Sequence, residues 1–138
     1  MQTNFENSVV TESPAADSAL AITHFSSKLA FETDCADVHQ AMAKKQADFH
    51  LLDVRGRLSF ERSHVPGAIH MPKDKITEES LSALPKMRCF VVYCAGPHCN
   101  GADKAALKIA RLGFPVKIMI GGITGWQDEK FRFEGIKA

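Results

Sequence analysis

The sequence predicts an α/β domain built on a mainly parallel sheet. Short apolar runs alternate along the chain with segments whose apolar residues recur at helical spacing. This alternation is typical of βαβ units, in which each crossover helix covers one face of a parallel sheet. The length of 138 residues fits one such domain and allows a sizeable apolar core.

Three segments divide the chain. Residues 1–12 are polar and are predicted to form a flexible tail. A helix is predicted over residues 13–30, with Ser13 as its N-cap and Pro14 at its first position, where the missing N–H of proline costs nothing. Residues 31–138 carry the alternating elements and form the predicted main domain.

The main domain contains the predicted strands and crossover helices. Apolar runs predict strands at residues 49–55, 68–71, 89–93 and 116–120. Helical spacing of apolar residues, with capping and stop signals, predicts helices at residues 34–45, 77–84 and 101–112. Because open parallel sheets bind ligands outside the carboxyl ends of their strands, we expect the functional site at that edge.

Cys94 is the candidate nucleophile of this site. It follows an apolar strand and opens a turn that leads directly into a helix. The free N–H groups and partial positive charge of a helix N-terminus favour an anion, so we expect a lowered pKa and a stabilised thiolate or persulfide at Cys94. The predicted active-site loop comprises Ala95, Gly96, Pro97, His98, Cys99, Asn100 and Gly101.

The other cysteines have different expected roles. Cys35 and Cys89 lie in a helix and in an apolar strand, where a cysteine usually behaves as a small buried hydrophobe. Cys99 lies in the same loop as Cys94, so it is either a resolving thiol that forms a disulfide with Cys94 or a packing residue. A metal site is not expected, because the loop offers three ligands at a spacing that matches no common zinc pattern.

Two charged residues follow the strand that begins at residue 49. Asp53 and Arg55 are predicted to lie at the same sheet edge as Cys94. They are candidates for a supporting role in the site. An internal ion pair that joins the strand to the next loop explains them equally well.

Four motifs together resemble the single-domain rhodanese-like proteins. They occur in the order typical of that family, within residues 32–132. In this chain they read LDVR at 52–55, HVPGAIHMP at 64–72, VVYC at 91–94 and GGITGW at 121–126. Each motif alone is a weak signal, but four in register are specific.

The resemblance implies a fold and an activity. It implies a five-stranded parallel sheet flanked by helices, to which the helix over residues 13–30 is an extra element. It also implies a sulfurtransferase, in which Cys94 takes a sulfane sulfur as a persulfide and passes it to a thiol or another nucleophilic acceptor. The extra helix is a candidate contact for a partner protein or for a second copy in a homodimer.

The loop departs from the family pattern at two positions. Ala95 and Cys99 stand where rhodanese loops commonly carry cations, so an anionic donor loses charge-assisted hydrogen bonds. We therefore expect weak activity with thiosulfate, and a small-molecule or protein donor of another kind. Rhodanese-like phosphatases carry an arginine where this chain has Asn100, which argues against phosphoryl transfer.

Two classes of function stay open at this point. The reactive cysteine favours a sulfurtransferase. The uncharged loop favours a noncatalytic or regulatory module that binds proteins or senses the thiol redox state. A chain that accepts sulfur on Cys94 belongs to the first class, and one that does not belongs to the second.

Composition limits the cellular location and the classes of binding partner that we expect. A net charge of +1 leaves no basic surface for nucleic acid. The sequence contains no apolar run of membrane-spanning length and no signal peptide at its start, so we expect a cytoplasmic protein without membrane contact. No cofactor is expected.

Overall fold

The computed structural model describes residues 6–137. Residues 1–5 of the predicted tail and Ala138 of the predicted domain lie outside the described residues. The chain separates into two compact units, which divide between Ala30 and Phe31. The helices and strands are α1 (Ser18–Phe31), β1 (Glu32–Asp34), α2 (Cys35–Ala43), β2 (Phe49–Asp53), α3 (Arg57–Arg62), β3 (Ile69–His70), a 3₁₀ turn (Lys73–Lys75), α4 (Glu78–Ser82), β4 (Cys89–Tyr93), α5 (Gly101–Arg111), β5 (Val116–Ile120) and α6 (Gly122–Asp128).

The first helix begins later than predicted. The sequence places its start at Ser13, but α1 begins at Ser18. The Asp17 carboxylate accepts a hydrogen bond of 3.0 Å from the Leu20 backbone N–H, which satisfies a free donor of the first turn. Asp17 therefore caps the helix in place of Ser13.

The five strands form one parallel sheet in the order β1-β5-β4-β2-β3. The predicted five-stranded parallel sheet flanked by helices is confirmed. The position of β1 was not predicted from the sequence, because Glu32–Asp34 is short and polar. This segment pairs in register with β5, from Glu32 beside Ile118 to Asp34 beside Ile120.

Both faces of the sheet are buried, as parallel sheets require. Successive residues of β4 point to opposite faces, so Val92 and Val91 belong to separate apolar clusters. One cluster packs beneath Ala105 and Ile109 of α5. The other contains Trp126 of α6, whose indole N–H donates to the Arg132 carbonyl at 2.9 Å. Helices on both faces thus hold the ends of the central strands in place.

A single buried carboxylate joins β2, β4 and the turn that precedes β3. Asp53 is fully buried and forms an ion pair with Arg55, with 2.7 Å between Oδ2 and Nη2. The Tyr93 hydroxyl donates to the same carboxylate at 2.6 Å and accepts a bond from the Val65 backbone N–H at 3.1 Å. Arg55 also donates to the Ser63 carbonyl at 2.6 Å. Burial and the carboxylate beside it raise the pKa of the Tyr93 phenol, so the hydroxyl keeps its proton.

None of the helices in residues 6–137 is long and apolar enough to cross a membrane.

Replacing Tyr93 with Phe tests the buried network. The substitution leaves the Val65 N–H buried without its acceptor, which costs about 1–3 kcal/mol in the free energy of unfolding. Urea unfolding followed by circular dichroism measures this loss. Glu61→Gln, which alters an exposed ion pair with Arg57, serves as the control and should change the same quantity by no more than about 0.5 kcal/mol. Equal stability of the two variants would contradict a structural role for the Tyr93 hydroxyl.

Candidate active site

Cys94 lies at the carboxyl end of the central strand β4. It directly follows Tyr93, the last residue of that strand, and only 9% of its surface is exposed. The neighbouring strands β2 and β5 run in the same direction, so their carboxyl ends share this edge of the sheet. Cys94 therefore lies at the edge of the sheet where the sequence leads us to expect a functional site.

The loop after Cys94 folds back and brings a second thiol onto the first. A hydrogen bond of 3.0 Å from the Cys99 N–H to the Gly96 carbonyl closes a tight turn. The Sγ atoms of Cys94 and Cys99 then lie 2.8 Å apart, and both cysteines are free thiols. This separation is a direct S–H···S contact, since a disulfide bond measures about 2.05 Å.

The start of α6 holds the backbone of Cys94 from the other side. The Ile123 N–H donates to the Cys94 carbonyl at 3.1 Å, and the Thr124 N–H donates to the Ala95 carbonyl at 3.0 Å. Gly122 adopts a φ of +55°, and a Cβ atom there would collide with the Cys94 carbonyl. Gly122 is therefore a structural requirement of the loop, because α6 could not approach Cys94 with a larger residue there.

The first N–H of α5 donates its hydrogen bond to the second thiol, although the helix begins close to both sulfurs. The Gly101 N–H, the first of the helix, donates to Cys99 Sγ at 3.4 Å. A Cβ atom on Gly101 would lie 2.8 Å from Cys94 Sγ, so only glycine lets the helix start this close to both sulfurs. The hydrogen bond from this first N–H therefore goes to Cys99.

The pKa predicted for Cys94 is wrong in direction. The pKa of Cys94 is raised to about 11, mainly by burial and next by its hydrogen bond with Cys99. The same hydrogen bond lowers the pKa of Cys99, with help from the Gly101 N–H and the charge of Lys104. The helix N-terminus favours the thiolate form of a cysteine as expected, but the pKa that it lowers is that of Cys99.

The two thiols consequently act as one acid–base pair. The pair loses its first proton mainly from Cys99, and the adjacent negative charge opposes loss of the second from Cys94. A proton transfer across the 2.8 Å contact converts the Cys94 thiol into a thiolate and leaves Cys99 protonated. Cys99 is therefore placed to act as the general base for Cys94.

A cavity of about 690 Å³ opens beside the two thiols. Apolar side chains of β5, among them Ile118 and Met119, form part of its wall. Its charged lining residues are Glu32, Asp34, Asp103 and Glu129. Among residues 6–137, no lysine or arginine lines this cavity. The sequence did not indicate this acidic wall, because its members are far apart in the chain.

The remaining predicted site residues lie around this pair. Asp53 and Arg55 form the internal ion pair described above, and their supporting role in the site stays a prediction. His98 is exposed in the loop.

Burial raises the pKa of Cys35 to about 11, and its thiol donates to the Ile120 and Gly122 carbonyls at 3.6 Å. Within the described part of the chain, no group of three or more His, Cys, Asp or Glu residues is arranged to hold a metal ion.

Comparison with known proteins identifies the family. A model of the rhodanese-like domain matches residues 34–129. The chain belongs to this family. The match begins at the N-cap of α2 and ends just after α6, so it contains the cysteine loop and the helix that holds it.

Its relatives include both enzymes and a transcriptional regulator. The thiosulfate sulfurtransferase GlpE of Coxiella burnetii is 32% identical over 60% of this chain and 76% of its own length. The HTH-type transcriptional regulator Rv0324 of Mycobacterium tuberculosis is 31% identical over 86% of this chain. The chain spans 51% of that regulator.

A solved structure shares most of the fold. The BH2092 protein of Bacillus halodurans superimposes with a TM-score of 0.83 and 40% sequence identity, and the match covers 88% of each chain. The rhodanese-like domain of the Anabaena Alr3790 protein gives a TM-score of 0.67 at 28% identity, over 77% of this chain and 80% of that one.

Cysteine alkylation tests the division of charge between the thiols. Cys99 should react with iodoacetamide faster than Cys94 at neutral pH, because its pKa is lowered and it is more exposed. Cys35 and Cys89, whose pKa values burial raises, are the internal controls and should react slowly. Peptide mapping at timed intervals gives the four rates. A faster reaction at Cys94 than at Cys99 would reverse the assignment of the thiolate.

Proposed function

We propose that this protein is a sulfurtransferase that carries sulfane sulfur on Cys94. The observation that carries the proposal is the 2.8 Å contact between Cys94 and Cys99 at the carboxyl end of β4. A buried thiol with a raised pKa is a poor nucleophile by itself. Cys99, whose pKa is lowered, lies in direct contact and can act as the base that accepts the Cys94 proton.

The reaction begins with proton transfer from Cys94 to Cys99. The Cys94 thiolate attacks the sulfane sulfur of the donor, the donor's bond to that sulfur breaks, and the leaving group departs with the bonding electrons. Cys94 is then a persulfide. A thiol or another nucleophile takes the outer sulfur and restores the Cys94 thiolate.

Relatives support sulfur transfer as the chemistry of this site. GlpE is a thiosulfate sulfurtransferase by name, and UBA4 of Meyerozyma guilliermondii is named an adenylyltransferase and sulfurtransferase. UBA4 is 32% identical over 67% of this chain, and the match covers 23% of UBA4.

The charge of the cavity favours donors that are not small anions. The acidic wall contains Asp103 and Glu129, and it repels a dianion such as thiosulfate at short range. The apolar residues of β5 favour a donor with carbon atoms next to its sulfur. An organic persulfide or a protein persulfide fits these properties better than thiosulfate does.

Sulfur loading separates a sulfurtransferase from a noncatalytic or thiol-sensing module. Cys99→Ser exposed to glutathione persulfide should become one sulfur atom heavier, with the added sulfur on Cys94. The variant is chosen because a thiol 2.8 Å away could remove that sulfur. Loading should be slow, since the proton acceptor of Cys94 is lost, but it should reach completion.

Cys94→Ser should gain no sulfur under the same conditions. Cys89→Ser, which changes a cysteine outside the loop, should load like the unmodified protein. Intact-protein mass spectrometry and peptide mapping provide the readout. A Cys99→Ser protein that gains no sulfur would favour the noncatalytic module.

A cation in the loop should improve the use of thiosulfate. Ala95→Arg adds a donor of charge-assisted hydrogen bonds where family members commonly carry one. It should raise kcat/KM for sulfur transfer from thiosulfate to cyanide about tenfold or more. Gln46→Arg, an exposed position outside the cavity lining, adds the same charge as a control and should leave the rate unchanged. Equal rates for both variants would show that loop charge does not limit thiosulfate use.

A further inference from the structure

We propose that Cys99 discharges the persulfide of Cys94 within the same loop, releasing hydrosulfide and leaving a Cys94–Cys99 disulfide. The chain would then reduce sulfane sulfur as well as carry it. This inference rests on the proposed function, because it needs the Cys94 persulfide as its starting point. It adds a second outcome for the bound sulfur, which requires no separate acceptor to enter the site.

The geometry places the second thiol in bonding range of the first. The two Sγ atoms lie 2.8 Å apart, so the sulfur that becomes the inner atom of the persulfide is already in contact with Cys99. The turn that brings them together is closed by a backbone hydrogen bond from Cys99 to Gly96. Forming the disulfide therefore requires a small movement of one side chain and no unfolding of the loop.

The ionisation of the pair suits this step. The Gly101 N–H donates to Cys99 Sγ and favours its thiolate form, which is the attacking species in thiol–disulfide exchange. Cys99 is also the more exposed of the two thiols. An external thiol that reduces the disulfide can thus reach Cys99 and form a mixed disulfide with it.

The step balances without an added oxidant. The Cys99 thiolate attacks Cys94 Sγ, the bond between Cys94 Sγ and the outer sulfur breaks, and the outer sulfur leaves as hydrosulfide with the bonding pair and the persulfide proton. The sulfane sulfur gains two electrons, and the two cysteines lose one each. Reduction of the disulfide by two equivalents of a cellular thiol restores the starting state.

In-line attack sets the direction in which the sulfur must point. The outer sulfur has to lie on the far side of Cys94 Sγ from Cys99. If the sulfur instead lies beside Cys99, attack on the outer atom would move the persulfide to Cys99 without releasing hydrosulfide. These two results differ in mass and in products, so one experiment distinguishes them.

The test is one round of loading by a large excess of thiosulfate over a long incubation, because this donor is expected to react slowly, with no other thiol present. Sulfite reports loading of Cys94, and hydrosulfide reports its discharge. The unmodified protein should release about one equivalent of each and become two hydrogen atoms lighter. Cys99→Ser should release sulfite, keep the added sulfur on Cys94 and form less than about one tenth as much hydrosulfide.

Matched variants complete the experiment. Cys89→Ser should behave like the unmodified protein, and Cys99→Ala should behave like Cys99→Ser, which excludes an effect of the serine hydroxyl. A thiol added after the reaction should restore the mass of the unmodified protein.

Two kinds of result would overturn the inference while leaving sulfur transfer intact. In the first, the unmodified protein releases sulfite but keeps the added sulfur on Cys94 or on Cys99. In the second, it releases hydrosulfide at the same level as Cys99→Ser. A different result, in which neither protein gains sulfur from thiosulfate and Cys99→Ser gains none from glutathione persulfide, would overturn the proposed function itself and the inference with it.

Discussion

The buried carboxylate of Asp53 fixes the edge of the sheet on which the site is built. It binds Arg55 and the Tyr93 hydroxyl, and through that hydroxyl it reaches the backbone of Val65. Because Tyr93 immediately precedes Cys94, the position of the nucleophile depends on how firmly the end of β4 is held. A buried ion pair contributes little net stability, so its value here lies in fixing one geometry.

The second constraint is electrostatic and lies within the loop. Rhodanese loops with cations can stabilise several negative charges, whereas this loop combines backbone N–H groups with a second thiol. Loss of one proton from the Cys94 and Cys99 pair is therefore favoured, and loss of the second proton is disfavoured. Burial of Cys94 shifts that charge to Cys99, which lies closer to solvent and receives the Gly101 N–H.

The sequence predicts the sheet and the position of Cys94 because both depend on local patterns. Apolar runs mark four of the strands, and the turn after Cys94 is marked by its glycines and proline. β1 was missed because a strand of three polar residues leaves no apolar pattern. The ionisation of the thiols could not be predicted, since it depends on which sulfur meets the first N–H of α5. That choice follows from the exact fold of the turn between Gly96 and Cys99, which the residue types of the loop do not specify.

Charge also links the acidic cavity to the proposed discharge of sulfur. A loop without cations, facing Asp103 and Glu129, stabilises a bound anion poorly. A Cys94 persulfide beside a Cys99 thiolate keeps one negative charge next to this acidic wall. Expulsion of hydrosulfide carries that charge away and leaves a neutral disulfide. The same absence of loop cations that disfavours thiosulfate as a donor thus favours a reaction in which negative charge leaves the site.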